Sequence, residues 1–161
     1  MIIPASRSSP HDRLPPMTTF RKVASDFYVA PQLEPADFAA AAELGIRTVI
    51  NNRPDGEAPD QLADAEARAL AAAQGLAYVH VPVVSGGILP DHLAAMRAAI
   101  DGHQGPFVAY CRSGTRSCHL WALVEARDED PDALIAAAAT AGYDLGAIRP
   151  LLKEIHKKAG A

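Results

Sequence analysis

The sequence predicts an α/β fold in three layers, a mostly parallel central sheet of about four to five strands flanked by helices. Three observations predict it. Short β-branched or aromatic runs alternate with alanine-rich helical runs from Phe20 to Lys158. Proline or glycine punctuates most of the boundaries between them. No internal repeat and no long linker interrupts the alternation, so residues 20–161 are expected to form one catalytic-size domain.

The elements follow in order. Residues 1–19 are rich in proline, serine and polar groups and are expected to be poorly ordered, with Met17 the expected natural start. Phe20 to Ala24 and Phe27 to Ala30 read as strands of a hairpin turning at Ser25-Asp26. A helix is expected from Pro35 to Leu44, with proline in its first turn and Gly45 just past its end. Ile46 to Asn51 is a β-branched strand that runs into the turn-rich Asn52-Arg53-Pro54-Asp55-Gly56-Glu57. A helix from Pro59 to Gln74, a strand from Leu76 to Val81 and a helix from Pro90 to Asp101 come next. The strand Pro106 to Tyr110 then delivers Cys111, and a helix is expected from Ser117 to Glu129. Two more should span Pro131 to Ala141 and Asp144 to Lys158, the latter kinked or broken at Pro150. In a parallel sheet, ligands sit beyond the carboxyl ends of the strands. The loops Asn51 to Glu57, Pro82 to Gly87 and Cys111 to Arg116 are therefore expected to converge.

Composition narrows the function. Fifteen Lys+Arg against nineteen Asp+Glu give a net charge of −4, which argues against a nucleic-acid partner. No apolar run reaches membrane-spanning length. Two cysteines, Cys111 and Cys118, are too few for a disulfide framework and fit a reducing cytoplasm. His80, His92, His103 and His119 lack metal-ligand spacing, so neither a metal nor another cofactor is expected.

The chemistry concentrates in Cys111-Arg112-Ser113-Gly114-Thr115-Arg116-Ser117. Strand, tight loop and helix follow one another here. Successive N–H groups of such a loop converge on one point, and the helix N-terminus adds partial positive charge. A cysteine so placed is expected to serve as a thiolate nucleophile, the alternative being a small buried hydrophobe. Arg116 reads as an anion clamp, Arg112 as a rim charge, and Ser113, Gly114 and Thr115 as N–H donors. Gly114 also permits a positive φ where the loop bends. Ser117 either supports the sulfur or caps the helix. Arg53 and Asp55 sit in a loop expected to face the site, with a structural pair or a turn as the plainer explanation. Cys118 reads as core packing, with a resolving thiol as the alternative.

Read together, Gln32-x-x-Pro35-x-Asp37, Gly45 to Glu57, His80-Val81-Pro82-Val83 and Cys111 to Ser117 resemble the phosphatase-like domain of beta-lactamase hydrolase-like proteins. The resemblance covers Phe20 to Leu152. It implies a cysteine-phosphatase-like fold of the dual-specificity type. Some members are fused to metallo-β-lactamase-type domains linked to persulfide oxidation, and the group is often labelled sulfurtransferase. Two departures bear on the reaction. Cysteine phosphatases carry His-Cys-x5-Arg, whereas this chain has Tyr110 before the cysteine and the spacing Cys111-x4-Arg116. The stretch Pro82 to Gly87, where a phosphatase places its aspartic acid, has no carboxylate. Asp55 is one candidate acid; Asp91, near a helix start, is explained by capping.

Rhodaneses have a similar four-residue loop, and sulfane sulfur needs less room than a phosphoryl group. The departures thus favour a rhodanese-like sulfurtransferase, moving sulfur from thiosulfate or a persulfide through a Cys111 persulfide to a thiol acceptor. A phosphatase acting on a phosphate ester through a Cys111 phosphocysteine is the first alternative. A non-catalytic anion- or persulfide-binding or redox-sensing module, working with a separate persulfide-oxidising enzyme, is the second.

Overall fold

The computed structural model describes residues 20–160. The expectations for 1–19 and for Met17 lie outside them. In chain order the elements are β1 (Arg21–Ala24), β2 (Phe27–Ala30), α1 (Pro35–Glu43), β3 (Thr48–Asn51), α2 (Asp64–Ala73), β4 (Ala77–His80), α3 (Pro90–Asp101), β5 (Phe107–Tyr110), α4 (Thr115–Glu125), α5 (Pro131–Thr140), a 3₁₀ turn (Gly146–Ile148) and α6 (Arg149–Ala159). The five strands lie in the order β1-β2-β5-β3-β4. β1 is antiparallel to β2, and every other pairing is parallel.

Strand alternation builds the layers. On β5, Phe107 and Ala109 face one core while Val108 and Tyr110 face the other. On β3, Ile50 and Val49 divide in the same way. Helices α1 and α2 cover one face through Phe38, Ala41, Ala67 and Ala71. Helices α3 to α6 cover the other, with Met96, Leu120, Trp121, Leu134 and Leu152 in the core. Phe27 stacks on Phe107 with ring centroids 5.7 Å apart, and Trp121 closes on Phe27 at 6.4 Å. The three-layer α/β architecture is the expected one.

Three helices differ from the sequence expectation by two residues or more at a boundary. Helix α2 starts at Asp64, not Pro59. Two carboxylates fix that start: Asp55 accepts from the Asp64 N–H at 2.8 Å, and Glu66 accepts from the Ala63 N–H at 3.1 Å. Helix α4 starts at Thr115, not Ser117, and ends at Glu125, not Glu129. Its early start follows from Gly114, whose φ of 95° turns the chain directly into the helix. Pro150 does not lie deep in a helix. The chain breaks into the 3₁₀ turn, and α6 begins at Arg149, so Pro150 occupies the first turn, where its missing N–H is no loss.

Candidate active site

The carboxyl ends of β5, β3 and β4 bring the three expected loops together. The Asn52 N–H donates to the Tyr110 carbonyl at 2.8 Å, and the Val83 N–H donates to the Asn52 carbonyl at 3.0 Å. Arg116 then ties all three loops. Its Nη1 donates to the Val83 carbonyl at 2.7 Å and to Glu57 Oε2 at 2.8 Å, and its Nη2 donates to Glu57 Oε1 at 2.8 Å.

Cys111 lies at the end of β5, and the Gly114 N–H donates to its Sγ at 3.1 Å. The sequence expects a thiol at an open loop mouth. Instead Cys111 is 0% exposed, because the loop folds over it. Arg112, Ser113 and Thr115 form the exposed rim above it. Gly114 is required twice. It has a positive φ, and an added Cβ would lie 2.1 Å from the Tyr143 hydroxyl. That hydroxyl donates to the Ser113 carbonyl at 3.2 Å and so braces the loop from outside. Gly114→Ala is expected to destabilise the chain by about 2 kcal/mol or more. Denaturant unfolding checks this, and a second Tyr143→Ala substitution should recover the part due to the collision.

Arg116 is the electrostatic centre. A guanidinium has five N–H donors. Glu57 takes the edge made by Nη1 and Nη2, and Val83 takes the second Nη1 hydrogen. Among the described residues, no oxygen is bonded to Nε–H or to the second Nη2–H; this edge suits a bidentate anion, and the Cys111 sulfur is its hydrogen-bonding neighbour. The Glu57 hydrogen bonds push the Arg116 pKa up; burial opposes this, and the neighbouring Cys111 adds to the rise. Arg53 reinforces Glu57, donating from Nε to Oε1 at 2.9 Å, while its Nη1 donates to Gln32 Oε1 at 2.9 Å.

Hydrogen bonding from Arg116 is the main cause holding the Glu57 carboxyl below its usual value of 4.5, with burial opposing and Arg53 assisting. A lowered folded pKa contributes stability that is present above the unfolded value and lost as pH falls through the folded one. The stability difference between the wild type and Glu57→Gln is therefore expected to be larger at about pH 7 than at about pH 3.5, as measured by denaturant titration.

The other expected site residues divide. Arg112, Ser113 and Thr115 line a cavity beside the loop, together with Arg116. Ser117 neither caps the helix nor touches the sulfur: its hydroxyl donates to Asn52 Oδ1 at 2.8 Å, and Asn52 Nδ2 donates to the Val81 carbonyl at 3.0 Å. Arg53 is buried and acts on Glu57, not on the cavity. Asp55 is spent on the start of α2. Cys118 is core, and burial pushes its thiol up to about 12. Sequence reasoning missed Glu57 and Tyr143. Each is far in sequence from what it holds, 59 residues from Arg116 and 30 from Ser113, and no local spacing marks either. No helix among the described residues is long and apolar enough to cross a membrane.

A cysteine under a glycine-turned loop, an arginine in the first turn of the next helix, and a five-stranded sheet covered on both faces define a protein of the cysteine-phosphatase-like fold. The chain belongs to the family described as beta-lactamase hydrolase-like protein, phosphatase-like domain, whose family model matches residues 19–128. It is 38% identical over 112 residues to the beta-lactamase hydrolase-like protein of Xylella fastidiosa, covering 68% of this chain and 26% of that protein. The chain thus spans about a quarter of the length of the curated relatives it matches. Among solved structures it is similar to a candidate phosphatase from Neisseria meningitidis, with a TM-score of 0.77 and 33% identity over 86% of this chain and 99% of that one. It shares its fold with a candidate phosphatase from Shewanella putrefaciens, with a TM-score of 0.70 and 20% identity over 89% and 94% of the two chains.

Proposed function

We propose that the chain is a cysteine-dependent hydrolase of phosphate monoesters, acting through a phosphocysteine at Cys111. The observation that carries this reading is the Arg116 guanidinium, locked along one edge by Glu57 and lying beside the Cys111 sulfur with no oxygen bonded to its Nε/Nη2 edge. That edge suits two oxygens of a tetrahedral phosphoryl group. The likeness to the Neisseria meningitidis candidate phosphatase supports the same chemistry. In the reaction, Cys111 Sγ displaces the ester oxygen at phosphorus, forming S–P as P–O breaks. Water then attacks phosphorus, releases inorganic phosphate and restores the thiolate. The sulfur is 0% exposed and accepts from the Gly114 N–H at 3.1 Å, so the attack requires the phosphoryl group to reach Sγ past the rim of the loop.

The leaving group receives little help. Two arginines keep Glu57 in its ionised form, and Asp55 is held at the start of α2. Esters whose alcohol departs as a stable anion should therefore react far faster than alkyl esters. A 4-nitrophenyl ester is expected to exceed glycerol phosphate in kcat/KM by about 10³-fold or more. Comparable rates for both would point to an acid in the site.

Sulfur transfer is the second reading, and the four-residue loop between Cys111 and Arg116 favours it. Mass spectrometry of the wild type, quenched after separate exposure to an aryl phosphate, thiosulfate and glutathione persulfide, tests both. A phosphoryl group on Cys111 from the first is the expected result. One added sulfur from either of the others, with no phosphoryl adduct, would overturn it in favour of the second reading.

A further inference from the structure

Beside the Cys111 loop lies a cavity of about 630 Å³. One end is polar and cationic, formed by Arg112, Ser113, Thr115 and Arg116. The wall leading away is Ile88, Leu89, Leu93, Leu123, Ile148 and Leu151. No carboxylate among the described residues lines it. His119 does, and burial lowers its pKa and so favours the uncharged imidazole. Leu89 and Leu151 are 58% and 46% exposed, so two large apolar side chains of this wall face water. Leu89 precedes α3, Leu93 lies on α3, Leu123 is on α4, and Ile148 and Leu151 come from the 3₁₀ turn and α6. The last two stand beyond residues 19–128, so the family match does not account for that part of the wall.

We propose that this wall is a subsite for the apolar body of the substrate, and that the preferred substrates are anions carried on an aryl or alkyl group instead of a sugar or polyol. The class of head group rests on the hydrolase reading above; the apolar preference rests on the wall. The guanidinium end fixes the anion, which orients the molecule, and the wall beyond it is mostly apolar, with Ser85, Gly86 and His119 its other members besides Pro90. A sugar laid there would lose water from its hydroxyls without gaining partners from leucine and isoleucine side chains. An aryl or alkyl group would cover the exposed leucines and remove apolar area from water. The cavity is of a size that encloses such a ligand. A protein partner docking on the same leucines would not need the cationic end.

Calorimetry of the full chain with non-hydrolysable phosphonates tests this. The ligands are methylphosphonate, 1-naphthylphosphonate and decylphosphonate, with the last two separating aryl from alkyl preference. At least one of these two is expected to bind about tenfold or more tighter than methylphosphonate. The exposed positions allow Leu89→Asn and Leu151→Asn without opening the core, and the doubly substituted chain is expected to lose most of that ratio. Equal affinity for all three ligands would overturn the proposal, as would a ratio unchanged in the double variant. Failure of the hydrolase reading looks different: no phosphocysteine forms, while the naphthyl or decyl preference persists.

Discussion

Cys111→Ser is expected to lower kcat/KM for an aryl phosphate by about 10⁴-fold or more and to leave the fold intact. In the proposed reaction the nucleophile is the sulfur of Cys111; Cys118 is equally buried but lies inside α4, where burial pushes its thiol up to about 12. Serine is nearly isosteric, but among the described residues its hydroxyl has no neighbouring base to activate it: Ser117 bonds to Asn52, and Glu57 is paired with Arg116 and Arg53. The Gly114 N–H that now meets sulfur at 3.1 Å would meet oxygen instead, so packing changes little. Initial rates and a thermal melt of both proteins decide the matter. A Cys111→Ser chain that melts normally and still turns over would reduce Cys111 to the small core residue that its 0% exposure also permits.

Arg116→Lys is expected to lower kcat/KM by about 10³-fold, although it preserves the charge. The guanidinium does two tasks: Nη1 and Nη2 grip Glu57 and Val83, and the Nε/Nη2 edge lies beside Cys111 with no oxygen bonded to it. An ammonium is a single point and cannot hold Glu57 bidentately while also presenting two parallel donors to an anion. If transition-state stabilisation is the larger role, kcat should fall more than KM rises. Glu57→Gln is the control. It keeps one carbonyl acceptor for Arg116, so its rate loss should be well short of that of Arg116→Lys. Equal losses would make the Glu57–Arg116 pair a structural clamp and remove Arg116 from the chemistry.

The sequence made the layers readable because their signals are local. The apolar runs at Val49-Ile50 and Phe107-Val108 needed no distant partner to look like strands, and Pro35, Pro90 and Pro131 sit in the first helical turns expected of them. The convergence of three loops followed from strand direction alone. Asp55 was readable only as a carboxylate in the right loop, since its bond to the Asp64 N–H depends on where α2 begins. Glu57 was invisible for a related reason: its role arises from the folded position of Arg116, 59 residues away. The depth of Cys111 was also beyond reach, because exposure depends on how the loop closes over the sulfur and not on the order of its residues.

The Tyr143 hydroxyl that bonds Ser113 belongs to the segment between α5 and the 3₁₀ turn, beyond the part of the chain that the family match spans. The Cys111 loop is therefore propped by a strut from beyond residues 19–128, and that strut stands where any side chain at Gly114 would have to go. Exchanging modules between relatives at the family boundary would carry over the cysteine, the arginine and the glycine but leave the loop without its prop. A transplant that preserves the loop's shape has to include the C-terminal segment as well.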